Sequence, residues 1–228
     1  EEINRMVTDS ITDYFFTTSE TANKNLTKAG INEDRIFFVG NTMIDTLLKN
    51  QKLFVKPKLW LELQLENKNY FVMTLHRPGN VDNEKNIKNI LSEIDANSNN
   101  IPVIFPVHPR TQKKLYELRF LYPNIYFVPP QGYLEFNYLV ERSLAVITDS
   151  GGITEETTVM NIPCITIRDS TERPETVEIG TNELIGDDPK DIQFMLKKLF
   201  SGKWKKGKIP KYWDGRAAQR IIDYLLQV

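Results

Sequence analysis

Cysteine, net charge and long apolar runs are what this sequence has least of. Its 228 residues include a single cysteine, Cys164, so no intramolecular disulfide can staple the chain and a reducing cytosol is compatible with it. The 29 Lys+Arg and 30 Asp+Glu give a formal net charge of -1. That removes the bulk electrostatic footprint of a nucleic-acid coat or a membrane-surface binder, so neither nucleic acid nor membrane is expected as a partner. Any anion site must be local. No apolar run approaches the roughly 20 residues that span a bilayer, and no charged-then-apolar leader is visible. What the chain does have is a core: 40% of its residues are hydrophobic and 11% aromatic. At this length folding buries on the order of 70% of the unfolded surface, which suits one large α/β domain or two small ones.

The chain opens on Glu1-Glu2-Ile3-Asn4-Arg5 without an initiator Met, already in a helical pattern with Ile3, Met6, Val7 and Ile11 on one face. It is expected to be the middle of a longer protein. Runs of strand length rich in Val, Ile and Phe recur at 14–17, 35–39, 70–75, 103–107, 125–128, 145–148 and 164–167. Between them lie helix-period segments with N-cap candidates: Ser19, Asn41 and Asp82. Near-continuous apolar strands must be covered on both faces, so their alternation with helices argues a Rossmann-like, doubly wound parallel α/β sheet. Five lysines among aromatics between Gly202 and Trp213 could be read as a nucleic-acid patch. The neutral total charge favours a solvated loop before a final helix, 214–226, whose stripe is Ala217, Ile221, Ile222, Leu225 and Leu226.

In an open α/β sheet ligands bind beyond the carboxyl ends of the strands, and here those positions are polar. Strand 70–75 is followed by His76-Arg77-Pro78-Gly79-Asn80, and strand 103–107 by His108-Pro109-Arg110-Thr111. Both histidines of the chain thus sit at strand exits, each near an Arg, which points to anion binding. Strand 145–148 leads into Asp149-Ser150-Gly151-Gly152 and then directly into a helix. Paired glycines let a backbone approach a ligand, and the free N–H groups and dipole of a helix start favour a phosphate. A tight strand-to-helix turn asks for glycine as well. Glu155 and Glu156 read either as first-turn acids that complement the dipole or as acceptors for a ribose diol. Arg168 leaves an apolar strand, where an unpaired guanidinium is costly, so it needs a carboxylate or phosphate partner.

These motifs resemble those of the non-hydrolysing UDP-N-acetylglucosamine 2-epimerases, whose architecture is similar to that of two-domain GT-B glycosyltransferases. The segment 74–81, Thr74-Leu75-His76-Arg77-Pro78-Gly79-Asn80-Val81, is similar to the family's T-x-H-R-x-x-N. Residues 149–156 resemble its D-S-G-G-I-x-E-E, and 168–175 followed by Gly180-Thr181-Asn182 resemble R-D-x-T-E-R-P-E and G-T-N. Asn4-Arg5, Ser19-Glu20-Thr21, Gly40-Asn41-Thr42 with Ile44-Asp45, and Asp214-Gly215-Arg216-Ala217 also fit, so the resemblance spans essentially the whole chain. Two departures stand out. Where the family often has H-R-R-E-N this chain has His76-Arg77-Pro78-Gly79-Asn80, and where it often has H-x-N-P the chain has His108-Pro109-Arg110-Thr111.

The resemblance implies one half of a GT-B-like two-domain architecture. Residues 1–18 would be a linker helix and crossover from an N-terminal domain not included here, 19–212 a Rossmann-like UDP-binding domain, and 213–228 a helix packing partly on the absent domain. Ser150, Gly151 and Gly152 would hold the diphosphate, Glu155 or, by motif position, Glu156 the ribose, and Arg168 would order the nucleotide site. Arg77 and His108 would contribute to UDP binding, and Phe136 lies where the uracil is received. His76 matches the active-site histidine and Glu1 a catalytic carboxylate. The implied reaction turns UDP-N-acetylglucosamine into UDP-N-acetylmannosamine through loss and readdition of UDP, with no metal or cofactor. A cytoplasmic protein is implied, homodimeric at full length. The competing readings are a UDP-sugar-binding module without catalysis, a hydrolysing epimerase and a GT-B glycosyltransferase.

Overall fold

The computed structural model describes residues 2–107, 115, 121–186 and 188–227. Among them are eight strands, the first seven formed by the apolar runs: β1 (Phe15–Thr17), β2 (Ile36–Phe38), β3 (Phe71–Thr74), β4 (Val103–Pro106), β5 (Ile125–Val128), β6 (Ala145–Thr148), β7 (Cys164–Thr166) and β8 (Asn182–Leu184). They belong to two compact units, one of Glu1–Lys49 with Pro210–Val228 and one of Asn50–Ile209.

The larger unit carries a six-stranded sheet in the order β5-β4-β3-β6-β7-β8, every neighbouring pair parallel. Counted within the unit, that is the doubly wound order 3-2-1-4-5-6 of the Rossmann fold. Alternate residues face opposite sides, as the strand period of two requires. Phe71, Met73, Val103, Phe105, Ile147 and Ile165 pack on one side with Ile87, Ile90, Leu91 and Ile94 of the helix Glu84–Asn97 and with Ile192 and Leu196 of the helix Lys190–Phe200. Val72, Ile104, Val146 and Cys164 pack on the other with Leu59, Trp60, Leu139 and Val140. Helices therefore cover both faces. The apolar side chains of β3, β4 and β6 are essentially inaccessible, each contributing about 1.5–3 kcal/mol by burial.

The smaller unit holds β1 and β2, paired in parallel register Phe15↔Ile36. The strand expected at 35–39 forms as β2 and, among the described residues, pairs with β1 in a sheet separate from the six-stranded one. Local pattern identifies a strand; which strand it pairs with is decided by contacts far away in sequence. The connecting helix Glu20–Lys28 begins as expected, with Ser19 accepting from the Ala22 N–H at 3.2 Å. In the helix Thr42–Asn50, Ile44 and Leu47 are buried. Asp45 on that helix caps the last one, Ala217–Leu225, accepting from the N–H groups of Ala217 at 3.0 Å and Ala218 at 2.7 Å. Gly40 has φ +97, and a Cβ there would collide with the Tyr212 carbonyl, so no other residue fits. Trp213 is buried and donates from Nε1 to the Thr18 carbonyl at 3.0 Å.

One sequence expectation shifts slightly. Asn83, rather than Asp82, caps the helix Glu84–Asn97, its Oδ1 accepting from Lys85 and Asn86. The lysine-rich stretch after Gly202 is neither helix nor strand, and Trp204 anchors it by donating to the Thr181 carbonyl at 2.9 Å. No helix among the described residues is long and apolar enough to cross a membrane.

Candidate functional site

Strand order reverses between β3 and β6, and that switch point is where open α/β sheets place ligands. The two strands end on Thr74 and Thr148, whose hydroxyls lie 2.6 Å apart. His76, Arg77 and the short helix Pro78–Val81 follow the first, and Asp149, Ser150 and the helix Gly151–Val159 follow the second.

Asp149 ties the two exits together. Fully buried, its carboxylate accepts from the backbone N–H of His76 at 3.1 Å, from that of Arg77 at 2.9 Å and from Asn80 Nδ2 at 3.1 Å. His76 Nδ1 lies 2.7 Å from the same carboxylate, while its ring stays largely exposed. A buried carboxylate is tolerated where N–H donors surround it in this way. The pairing fixes the imidazole through Nδ1 and leaves Nε2 for a ligand. Arg77 adds a second tie, donating from Nε to the Asp149 carbonyl at 3.2 Å.

Ser150 caps the helix Gly151–Val159 in extended conformation, but its side chain makes no capping hydrogen bond. The first N–H groups of the helix are thus left to another acceptor. Neither Gly151 nor Gly152 has a positive φ, and a Cβ on Gly151 would meet ordinary contacts, at 3.8 Å from Glu172 Oε2 and 3.9 Å from Arg168 Nη1. At Gly151, then, neither backbone conformation nor protein packing demands a glycine. A glycine there leaves the backbone open to close approach by a ligand.

Arg168 is buried and finds the carboxylate partner its position requires. Nη1 and Nη2 donate to Glu172 Oε2 at 3.0 Å and Oε1 at 2.7 Å. The hydrogen-bonded guanidinium holds the Glu172 carboxyl down to about 2. Arg77 Nη2 approaches the same carboxylate at 3.9 Å, so two guanidinium groups flank the helix start.

The adjacent glutamates diverge, though both are buried. Glu155 accepts from Arg173 Nε at 2.5 Å, whereas Glu156 Oε1 accepts from the Tyr133 hydroxyl at 3.0 Å. Burial raises the Glu156 carboxyl above the usual carboxylate range, against the hydrogen bonds from Tyr133 and Asn137. Phe136, one turn along from Tyr133 in the helix Tyr133–Arg142, is partly buried against the core. The structure therefore gathers His76, Arg77, Ser150, Gly151 and Arg168 around one helix start, with Glu156 further along the same helix. His108 and Glu1 lie outside the described residues. No group of three or more His, Cys, Asp or Glu that could hold a metal ion occurs among the described residues.

Residues 1–226 match the family model described as UDP-N-acetylglucosamine 2-epimerase. The chain belongs to that family. A UDP-N-acetylglucosamine 2-epimerase of Methanocaldococcus jannaschii is 40% identical over 239 residues, covering 99% of this chain and 64% of the relative. The crystal structure of that organism's enzyme in complex with UDP-GlcNAc and UDP superposes with a TM-score of 0.80 at 39% identity, over 98% of this chain and 64% of the other. The Neisseria meningitidis epimerase bound to UDP-GlcNAc gives a TM-score of 0.86 at 28% identity, over 100% of this chain and 65% of the other. This member of the epimerase family thus spans just under two thirds of the length of these relatives.

Four residues of the site were not singled out from the sequence alone: Asp149, Glu172, Arg173 and Tyr133. Asp149 and Glu172 stand inside quoted motifs, and Asp149 at a strand's carboxyl end was the available signal. Arg173 and Tyr133 act on Glu155 and Glu156 across 18 and 23 residues, and no periodicity encodes such pairings.

Proposed function

We propose that this chain supplies the nucleotide-binding half of an enzyme that interconverts UDP-N-acetylglucosamine and UDP-N-acetylmannosamine. The observation that carries the reading is the Asp149-organised switch point, where an uncapped helix start, His76 and two guanidinium groups converge in a chain 40% identical to an epimerase. The N–H groups at Gly151 and Gly152, with the Ser150 hydroxyl, hold the diphosphate. Glu156 accepts from the ribose hydroxyls, and the uracil sits near Phe136. Arg168 orders the loop beside the phosphates.

In the reaction the C2 proton is removed and the C1–O bond breaks, giving 2-acetamidoglucal and UDP. UDP then adds back at C1 as a proton returns to the other face of C2. Cleavage puts negative charge on the leaving diphosphate, which the helix-start N–H groups, Ser150 and His76 Nε2 stabilise. Acid and base groups for C2 come largely from the N-terminal domain, to which the linker helix of this chain adds the Glu1 carboxylate. No cofactor is required by this chemistry, and the enzyme works in the cytoplasm, dimeric when complete. The last helix docks partly on the N-terminal domain. Its Ile222, Leu225 and Leu226, with 51%, 47% and 80% of their surface exposed, support that contact.

The test is product analysis on the complete enzyme supplied with UDP-N-acetylglucosamine. UDP-N-acetylmannosamine is expected. Free N-acetylmannosamine with UDP would replace the proposal by hydrolysis, and a new glycosidic bond would replace it by glycosyl transfer.

A further inference from the structure

Glu156 is held by its neighbours in a way that the ribose reading does not by itself require. Its carboxylate is buried with 6% of the residue exposed, yet one oxygen, Oε1, is already engaged by the Tyr133 hydroxyl at 3.0 Å. Tyr133 is the first residue of the helix Tyr133–Arg142 and keeps 42% of its surface exposed, so its ring reaches the carboxylate from the solvent side. Asn137, one turn on and fully buried, donates from Nδ2 to the Tyr133 carbonyl at 3.2 Å and also hydrogen-bonds Glu156. Its Oδ1 has no hydrogen-bond partner. A buried amide spends its donors on one tyrosine and on the carboxylate that tyrosine contacts.

We infer that Tyr133, backed by Asn137, is a positioning residue that fixes the Glu156 carboxylate so that Oε2 faces the ligand's ribose hydroxyls. The inference rests on the proposed role of Glu156 as ribose acceptor. A carboxylate has two oxygens and about four lone-pair sites, and a free glutamate side chain turns among several rotamers. With Oε1 tied to a phenol on a helix, the group keeps one orientation. An acceptor so preorganised binds a diol without first losing its own freedom. Selectivity for a ribonucleotide would then depend on a residue outside the helix that bears the acid.

The experiment is calorimetric titration of the chain and of its Tyr133→Phe variant with UDP and with 2′-deoxy-UDP. The parent chain should prefer UDP by about tenfold, the effect of one charge-assisted hydrogen bond. Tyr133→Phe should cut that preference to about twofold while leaving affinity for 2′-deoxy-UDP within a factor of two. A role confined to packing would instead weaken both ligands equally and preserve the preference, which would overturn the inference. A preference that survives Tyr133→Phe undiminished overturns it too, with the ribose reading left standing. If the parent chain itself binds UDP and 2′-deoxy-UDP alike, or binds neither, the role of Glu156 fails and the positioning role falls with it.

Discussion

In the unit Asn50–Ile209 both faces of a six-stranded parallel sheet are covered by helices of the same unit. In the unit Glu1–Lys49 with Pro210–Val228 the described residues form a two-stranded parallel sheet, the helices Glu20–Lys28 and Thr42–Asn50, a single 3-10 turn and the terminal helices. Parallel sheets are stable when buried on both faces, and two strands alone are marginal. The surfaces record the difference. Ile36, Phe37 and Phe38 of β2 in the smaller unit are only partly buried, while Val72, Ile104 and Ile147 in the strands of the larger expose none of their surface. The candidate site is therefore built on the unit whose core its own residues complete.

The comparison can be pushed hardest at Asp149. Replacing it with alanine leaves the N–H groups of His76, Arg77 and Asn80 without their buried acceptor, at a cost of about 3 kcal/mol to the larger unit. Denaturant unfolding of Asp149→Ala should show that loss in the transition of the larger unit, and UDP binding should vanish. A variant as stable as the parent would mean that Asp149 does not organise the switch point.

Ser150→Ala and Glu156→Ala act on ligand rather than fold. Each should weaken UDP binding by about 1–3 kcal/mol while leaving unfolding nearly unchanged, as calorimetry and thermal melts would show. If both bind UDP like the parent, the pocket lies elsewhere.

Glu172 gives a smaller effect with a definite sign. Arg168 holds its carboxyl down to about 2 in the folded protein, below the ordinary carboxylate value. Such a group adds stability above its unfolded pKa, and that addition is lost as pH falls from about 4.5 toward 2. Because the Glu172 side chain is 58% exposed, solvent screening limits the gain to about 1 kcal/mol. Thermal melts should place the parent above Glu172→Gln at neutral pH and bring the two together near pH 2. A gap that widens on acidification would reverse the assigned sign.

The smallest effect is expected on the exposed helix Glu2–Ile11. Ile3→Lys and Ile11→Lys should alter unfolding of this chain by no more than about 0.5 kcal/mol, whereas Ile90→Lys in the larger unit should unfold it. A large destabilisation at Ile3 would show that the smaller unit covers that face after all.

How much of this was legible beforehand depends on how local the information is. Strands 70–75, 103–107, 125–128, 145–148 and 164–167 were readable because each is a buried apolar run, and the structure places β3 to β7 inside them. β8 escaped notice because Asn182–Leu184 has three residues, two of them polar, and earns its place by pairing with β7. The helix caps Ser19 and Asn83 follow local chemistry, the second one residue from the expected Asp82. Pairings across the chain were another matter. Arg168 announced its need for an anion by emerging from a buried strand, but nothing in the sequence told whether Glu172 or another carboxylate would answer. The partners of Glu155 and Glu156 are likewise visible only in the geometry: Arg173 donates to the first and Tyr133 to the second.

The central claim is that the unit Asn50–Ile209 is a nucleotide-binding half able to recognise its ligand. Calorimetric titration of the chain with UDP, using UMP and ADP as controls, tests it most directly. The account predicts saturable binding of UDP, weaker binding of UMP for want of the second phosphate, and none of ADP. Binding of ADP as tight as that of UDP, or no binding of UDP at all, would contradict it.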